Sequence, residues 1–231
     1  MRIRRVLRAL MGTLGGLLLF FFVGLKVQSR LQAALGRRRA CPPALAWVLE
    51  RPGRVRGEVL RVLDRIGLEP GEHVLEVGCG PGVYTVEAAR RLGPDGRLVA
   101  VDLQPEMVSR AAERVRNAGF ANVETHVADA RHLPLEDRSV DRAFLVGVLP
   151  EISDPQVALA EVRRVLRPHG VLSVSEGFLD PDYRFAFETV RQVQQAGFSL
   201  EERFGNVWRY TANFRNAQRA NYEDLGGTIR P

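Results

Sequence analysis

The clearest chemical potential in this chain lies in three acids and three glycines. Glu76, Gly78, Gly80 and Gly82 stand in the stretch Val74-Leu75-Glu76-Val77-Gly78-Cys79-Gly80-Pro81-Gly82. Asp102 closes the apolar run Leu98-Val99-Ala100-Val101, and Asp129 lies in Val127-Ala128-Asp129-Ala130. Glycines at that spacing let a backbone turn tightly and approach a ligand closely. Asp102, 20 residues after Gly82, can accept both hydroxyls of a ribose. A dinucleotide fingerprint wants a glycine at position 83, where the chain has Val83, and Glu76 would repel a pyrophosphate. Glu76 suits a cationic amino group instead, and Asp129 can accept from an adenine amino group. Three acids in this order describe a ligand of adenine, ribose and ammonium without phosphates. The same two residues disfavour a nicotinamide-dependent oxidoreductase.

The elements that must position these residues follow from periodicity. His73–Val77 reads as a short apolar strand, and Arg97–Val101, Val123–Val127, Asp141–Val146 and Val171–Val174 as further strands. Helical spacing covers Val55–Ile66, Tyr84–Leu92, Pro105–Ala118, Gln156–Leu166 and Arg184–Gln195. Phe198–Phe204 and Arg209–Phe214 read as a closing antiparallel pair. Strands alternating with helices mean βαβ units, a parallel sheet with helices on both faces, and ligands at the carboxyl ends of the strands.

With these residues in place, the sequence resembles the class I S-adenosylmethionine-dependent methyltransferases. The resemblance is carried by Glu76 to Gly82, Val101-Asp102, Asp129-Ala130 and Val162-Arg163-Arg164-Val165-Leu166-Arg167-Pro168-His169-Gly170, the last with His169 where glycine is usual. That turn should tolerate the change with little consequence. The resemblance covers residues 54–215 and is strongest to the small enzymes that act on quinones, lipids and other small molecules. It implies a Rossmann-like seven-stranded sheet of order 3-2-1-4-5-7-6 with strand 7 antiparallel, S-adenosylmethionine as cofactor and no metal. It also implies a cofactor site drawn from Glu76, Gly78, Cys79, Gly80, Pro81, Gly82, Asp102, Leu103, Asp129, Ala130 and Gly147. Cys79 reads as a small packing residue. With only Cys41 beside it, no disulfide, metal site or thiol catalysis is expected, which argues against arsenite methylation.

The acceptor is less legible. Val146-Gly147-Val148-Leu149-Pro150-Glu151-Ile152 lacks the Asn/Asp-Pro-Pro-aromatic pattern expected for methylation of nucleobase or glutamine nitrogens. Glu151 and Glu176, read as lying just past strand ends, are candidate general bases, with His126 and His132 as alternatives. Phe178, Trp208 and Tyr210 are candidates for an apolar acceptor pocket. Catalysis by proximity without a base stays open.

The charge of the chain is divided. Of its 231 residues, 33 are Lys or Arg and 27 Asp or Glu, which suggests a nucleic-acid binder until the charge is mapped. Nine basic residues and no acid fall in residues 1–49, leaving 24 basic and 27 acidic residues for the rest, a net of −3 without the footprint of nucleic-acid binding. Between Arg8 and Lys26 run 17 uncharged residues, Ala9 to Leu25. As a helix these would be about 25 Å long, a little short of a hydrocarbon core, with flanking cations able to snorkel.

Residues 1–27 are therefore expected to form an apolar helix that anchors the chain in a membrane; a cleaved secretory signal and an organelle-targeting segment are the competing readings. Gly12 and Gly16 would allow self-association of such helices. Residues 28–53 read as a basic, proline-containing connector, 54–215 as the catalytic domain and 216–231 as a tail. Since S-adenosylmethionine is cytosolic, the domain should face the cytoplasm. The expected function is methylation of a small hydrophobic or membrane-associated acceptor such as a quinone or lipid. A catalytically silent nucleoside-binding module recruited to the membrane is the second reading.

Overall fold

The computed structural model describes Gly24 and residues 54–216, except Leu179 and Pro181. The expected anchor at 1–27 (Gly24 aside), the connector at 28–53 and the tail beyond Asn216 lie outside the described residues. Among the described residues no helix is long and apolar enough to cross a membrane.

Seven strands form one sheet: β1 (His73–Val77), β2 (Arg97–Asp102), β3 (Val123–Val127), β4 (Val140–Val146), β5 (Leu166–Gly177), β6 (Phe198–Asn206) and β7 (Arg209–Asn216). Their order is β3-β2-β1-β4-β5-β7-β6, with β1 to β5 parallel and β7 antiparallel to both β5 and β6. Central strands such as His73-Val74-Leu75-Glu76-Val77 are almost wholly buried, as a parallel sheet covered on both faces requires. Helices α1 (Arg54–Ile66), α2 (Thr85–Leu92), α3 (Pro105–Asn117), α4 (Pro155–Val165) and α5 (Ala186–Gln195) supply that cover.

Strand alternation sorts the core into two faces. Val74, Leu98 and Phe144 point toward α1 and α2, meeting Leu63, Ile66, Ala88 and Leu92. Leu75, Val101, Leu145 and Leu172 point the other way, onto Leu159 and Val162 of α4 and Val193 of α5. Helix α4 shows how the sequence sets this up. Asp154 caps its first turn by accepting from the Val157 amide, Pro155 opens it, and Ala158, Leu159, Val162 and Val165 fall on one buried stripe. At the opposite end of the sheet from the candidate site, Arg142 grips Glu72 through two bonds of 3.0 and 3.1 Å, tying β4 to the turn before β1.

The chain turns back at β1. Strands β2 and β3 are laid down on one side of it and β4 and β5 on the other, so the cleft between the carboxyl ends of β1 and β4 is the topological switch point. The register Val77↔Val101 and Val77↔Leu145 brings those ends level.

Two departures from the expected elements matter. The fifth strand is longer than Val171–Val174: it begins at Leu166, which pairs with Val140 across a register shift, and runs to Gly177, held there by pairing with Arg209 of β7. Glu176 therefore lies inside a strand and not beyond one. Helix α5 starts at Ala186, because the Phe185 amide is capped by the Glu188 carboxylate and Arg184 precedes that cap.

His169 sits at φ 64°, in the left-handed region where glycine is at ease. The position thus does ask for glycine. Replacing it, His169→Gly, should raise the urea midpoint with an unchanged m-value, a gain of about 1 kcal/mol; an unchanged or lowered midpoint would show that the histidine carries no strain.

Candidate active site

The site is built from what leaves each strand end. The Val101 carbonyl accepts the amides of Gly78 and Cys79 at 2.8 and 3.0 Å, and the Gly82 amide turns back to the Cys79 carbonyl at 3.0 Å, so the glycine-rich turn is pinned to β2. Gly78 and Gly82 are needed sterically. Each has a positive φ; a Cβ at Gly78 would stand 2.4 Å from Val148 Cγ2, and one at Gly82 would stand 2.9 Å from Ala111 Cα. Pro81 and Cys79 are buried inside the turn, and Cys79 packs on Ala100 and Ala111. Burial first, then the charges of Glu76 and Asp102, push its thiol far up, which makes it unreactive.

The three acids sit in three different environments. Glu76 is 3% exposed on β1, and its Oε2 has no hydrogen-bond partner among the described residues. Burial pushes its carboxyl up to about 8; the nearby Thr85 hydroxyl opposes this, and the Asp102 charge adds to it. Asp102 is buried at the end of β2, and both its oxygens serve the backbone: Oδ2 accepts from the Gly80 amide and Oδ1 from the Gln104 amide, each at 2.9 Å. It thereby holds the glycine-rich turn and opens α3, and its remaining lone pairs stay available for hydroxyls. Asp129 lies half-buried past β3, where a bidentate bond from the Arg131 guanidinium holds its carboxyl below the usual range.

A cavity of about 310 Å³ lies at the switch point, within the range of small-molecule sites. Gly78, Gly80, Asp102, Leu103, Asp129, Ala130, Gly147 and Glu151 line it, together with residues the sequence reading passed over, notably Gln104, Met107, Val148 and Asp180. Leu103 is 59% exposed at its rim. Asp180 comes from the loop after β5; a Cβ on Gly147 would stand 3.4 Å from its Oδ2. The signal for it was the acid-proline pair Asp180-Pro181 soon after a strand end. Glu76, Cys79, Pro81 and Gly82, expected at the cofactor site, do not line this cavity.

The remaining candidates separate. Glu176 is buried on β5, opposite Tyr210. His126 lies in β3, 3.6 Å from Glu124, and His132 is exposed in a loop; neither lines the cavity. Phe178 and Trp208 meet edge to face at 4.8 Å and line a second cavity of about 510 Å³ beside α1, with Glu58, Arg61, Arg65 and Arg209. Tyr210 does not join them: it is fully buried, and its hydroxyl bonds Thr189 Oγ1 at 2.7 Å and the Arg184 carbonyl at 3.2 Å, the arrangement of a core tyrosine.

These residues fit S-adenosylmethionine. A buried carboxyl oxygen without a partner among the described residues suits an ammonium, and Gly78 and Gly80 put bare backbone on the cavity wall, where a ligand can approach closely. Asp102 is placed to accept from a ribose, and Asp129 lies near Ala130 and Leu103 at the far rim, where an adenine would end. Comparison with known proteins agrees. The profile of the methyltransferase-domain family matches residues 68–209. An arsenite methyltransferase of Halobacterium salinarum is 38% identical over 47% of this chain and 28% of its own length. A ubiquinone/menaquinone biosynthesis C-methyltransferase of Teredinibacter turnerae is 35% identical over 49% of this chain and 46% of its own. The crystal structure of a SAM-dependent methyltransferase from Aquifex aeolicus superposes with a TM-score of 0.71 at 26% identity, covering 76% of this chain and 99% of that one. The chain spans about half or less of the length of the curated relatives it matches.

Asp102→Ala should weaken S-adenosylmethionine binding by about 1–3 kcal/mol, through unpaired hydroxyls and the loosened Gly80 turn. Titration calorimetry checks this, and an unchanged dissociation constant would contradict the ribose role.

Proposed function

The chain belongs to the S-adenosylmethionine-dependent methyltransferase family, and from that premise we propose that it methylates a small acceptor with an apolar body, at a membrane. The observation that carries methyl transfer is the cavity at the switch point, with the partnerless Glu76 oxygen on the strand that leads into its lining. S-adenosylmethionine supplies a methyl group on a sulfonium, so displacement there is in line. The work of this chain is to orient the donor, exclude water and present the acceptor. Gly78, Gly80 and Asp102 line the cavity where the donor would lie, Glu76 stands two residues before Gly78, and Val148 and Ile152 add apolar lining for the acceptor.

An apolar acceptor is supported by an aromatic ridge at the same end of the sheet. Phe187 and Phe185 stack at 5.9 Å, Phe185 meets Tyr183 at 5.6 Å, and Phe178 links Tyr183 to Trp208. Phe187, Val207 and Trp208 are 61–71% exposed there. Aromatic and apolar side chains gathered on a surface suit an interface with lipid or a lipid-like substrate. Similarity to a quinone methyltransferase points the same way. The 17-residue apolar run at 9–25, flanked by cations, would hold the domain at a membrane, facing the cytoplasm, where the cofactor is made. Arsenite is disfavoured as acceptor, since Cys79 is the sole cysteine among the described residues and is buried.

The test is incubation of the full chain with labelled S-adenosylmethionine and either membrane or soluble metabolite extracts. Label should enter a chloroform-soluble molecule from the membrane fraction. Deleting residues 1–27 should move the protein to the soluble fraction and lower that labelling several-fold. Label confined to water-soluble metabolites, or a deletion that alters neither location nor labelling, would overturn the reading.

A further inference from the structure

Glu176, a candidate base that does not itself line the cavity, has no hydrogen-bond partner among the described residues. Glu176 is 2% exposed, and both of its oxygens lack a hydrogen bond among the described residues. It stands on the face of β5 that carries Leu172 and Val174, one strand over from β4, whose end opens the cavity. The charges that act on it come from each neighbouring segment: Glu151 from the turn after β4, and Asp180, Asp182 and Arg184 from the loop after β5. Tyr210 faces it from β7, and Tyr183 from the same loop. Glu151 and Asp180 line the cavity. Arg184, which opposes these acids, gives Nη1 to Gln192 Oε1 at 2.7 Å.

A buried carboxyl with neither oxygen bonded is costly to keep, and three more acids around it raise that cost. A ligand bearing positive charge and N–H donors removes both costs at once. A neutral quinone or an anionic headgroup removes neither.

We infer that the acceptor presents a protonated amine to Glu176, beside Glu151 and Asp180 of the cavity wall, and that Glu176 takes the amine's proton before the methyl group moves. This rests on the proposed methyl transfer in this cavity and names the acceptor's head group; the aromatic ridge receives its apolar body. In the free protein, burial and then the charges of Asp180 and Glu151 hold the Glu176 carboxyl well above the usual carboxylate range, so it carries a proton. Arrival of the ammonium expels that proton to solvent. The resulting carboxylate then accepts one proton from the ammonium and leaves a neutral amine. Its lone pair forms the N–C bond, the C–S bond breaks with its electron pair returning to sulfur, and the products are a methylated ammonium, S-adenosylhomocysteine and a protonated Glu176.

The experiment uses the full chain saturated with S-adenosylhomocysteine and three probes with one apolar skeleton: 2-phenylethylamine, 2-phenylethanol and 3-phenylpropionate. Calorimetry at pH 7 in two buffers of different ionisation enthalpy reads both affinity and protons. The amine should bind about tenfold or more tighter than the alcohol, with the carboxylate weakest, and its binding should release protons. Glu176→Gln, which replaces a neutral acid by a neutral amide of the same shape, should keep the thermal midpoint and the S-adenosylhomocysteine affinity. It should lose both the amine preference and the proton release. Equal binding of amine and alcohol, no binding of the amine, or a preference that survives in Glu176→Gln would overturn the assignment. Failure of the methyl-transfer reading looks different: S-adenosylhomocysteine itself would not bind.

Discussion

A carboxyl group held in the dry interior of the sheet without a full set of partners is the constraint on which the rest of the site depends. Glu76 occupies a position in β1 that packing alone would give to valine or leucine, with Val74 and Leu98 on its own face. An acid there destabilises the ligand-free fold and is repaid only by a cation. Everything around it arranges the delivery of that cation. Asp102 commits both oxygens to the backbone of the Gly80 turn and the start of α3, and so fixes the path along which a ligand can lie. Asp129, at the rim, is neutralised by Arg131. The three acids thus run from buried with one oxygen unbonded, through buried and structural, to half-buried and paired. That gradient suits a ligand cationic at one end and neutral at the other.

The same geometry couples the two halves of the proposed reaction. The Gly147 amide is bonded to the Ser175 carbonyl at 2.8 Å, so the loop leaving β4 is tied to the last residues of β5. Gly147 faces the donor cavity, while Glu176 follows directly on Ser175. An acceptor held at β5 is therefore registered against the donor through a short stretch of sheet, which is how an enzyme that works by positioning sets its distances.

Much of this was legible in the sequence because it rests on local, one-dimensional signals. The strands β1 and β2 are short, largely apolar runs bounded by turn residues, and Glu76 and Asp102 announce themselves as acids at their ends, while Asp129 follows β3, an edge strand of mixed character. The sheet order followed from the resemblance those motifs carried. What was not legible depends on pairing and enclosure. Pro168 and Gly170 read as a stop, yet β5 starts at Leu166, since its partner Val140 holds it across a register shift that periodicity cannot show. Tyr210 has the chemistry of a pocket residue, and only the fold reveals that Thr189 and the Arg184 carbonyl already satisfy its hydroxyl. Asp180 drew no reading from the sequence, and only the fold brings its carboxylate beside Gly147. The basic charge of the chain belongs to residues 1–49, outside this architecture, and says nothing about the site.

The account stands most directly on the state of Glu76. In the free protein its carboxyl holds a proton up to about pH 8, against 4.5 for an ordinary glutamate, so at pH 7 it is mostly protonated. An ammonium placed beside it favours the charged form and lowers the pKa, so binding should release that proton. Titrating the ligand-free full chain with S-adenosylhomocysteine at pH 7, in two buffers of different ionisation enthalpy, measures this. The wild-type protein should release close to one proton and Glu76→Gln close to none, and the variant should bind more weakly. Binding without proton release, or a release that persists in Glu76→Gln, would contradict it.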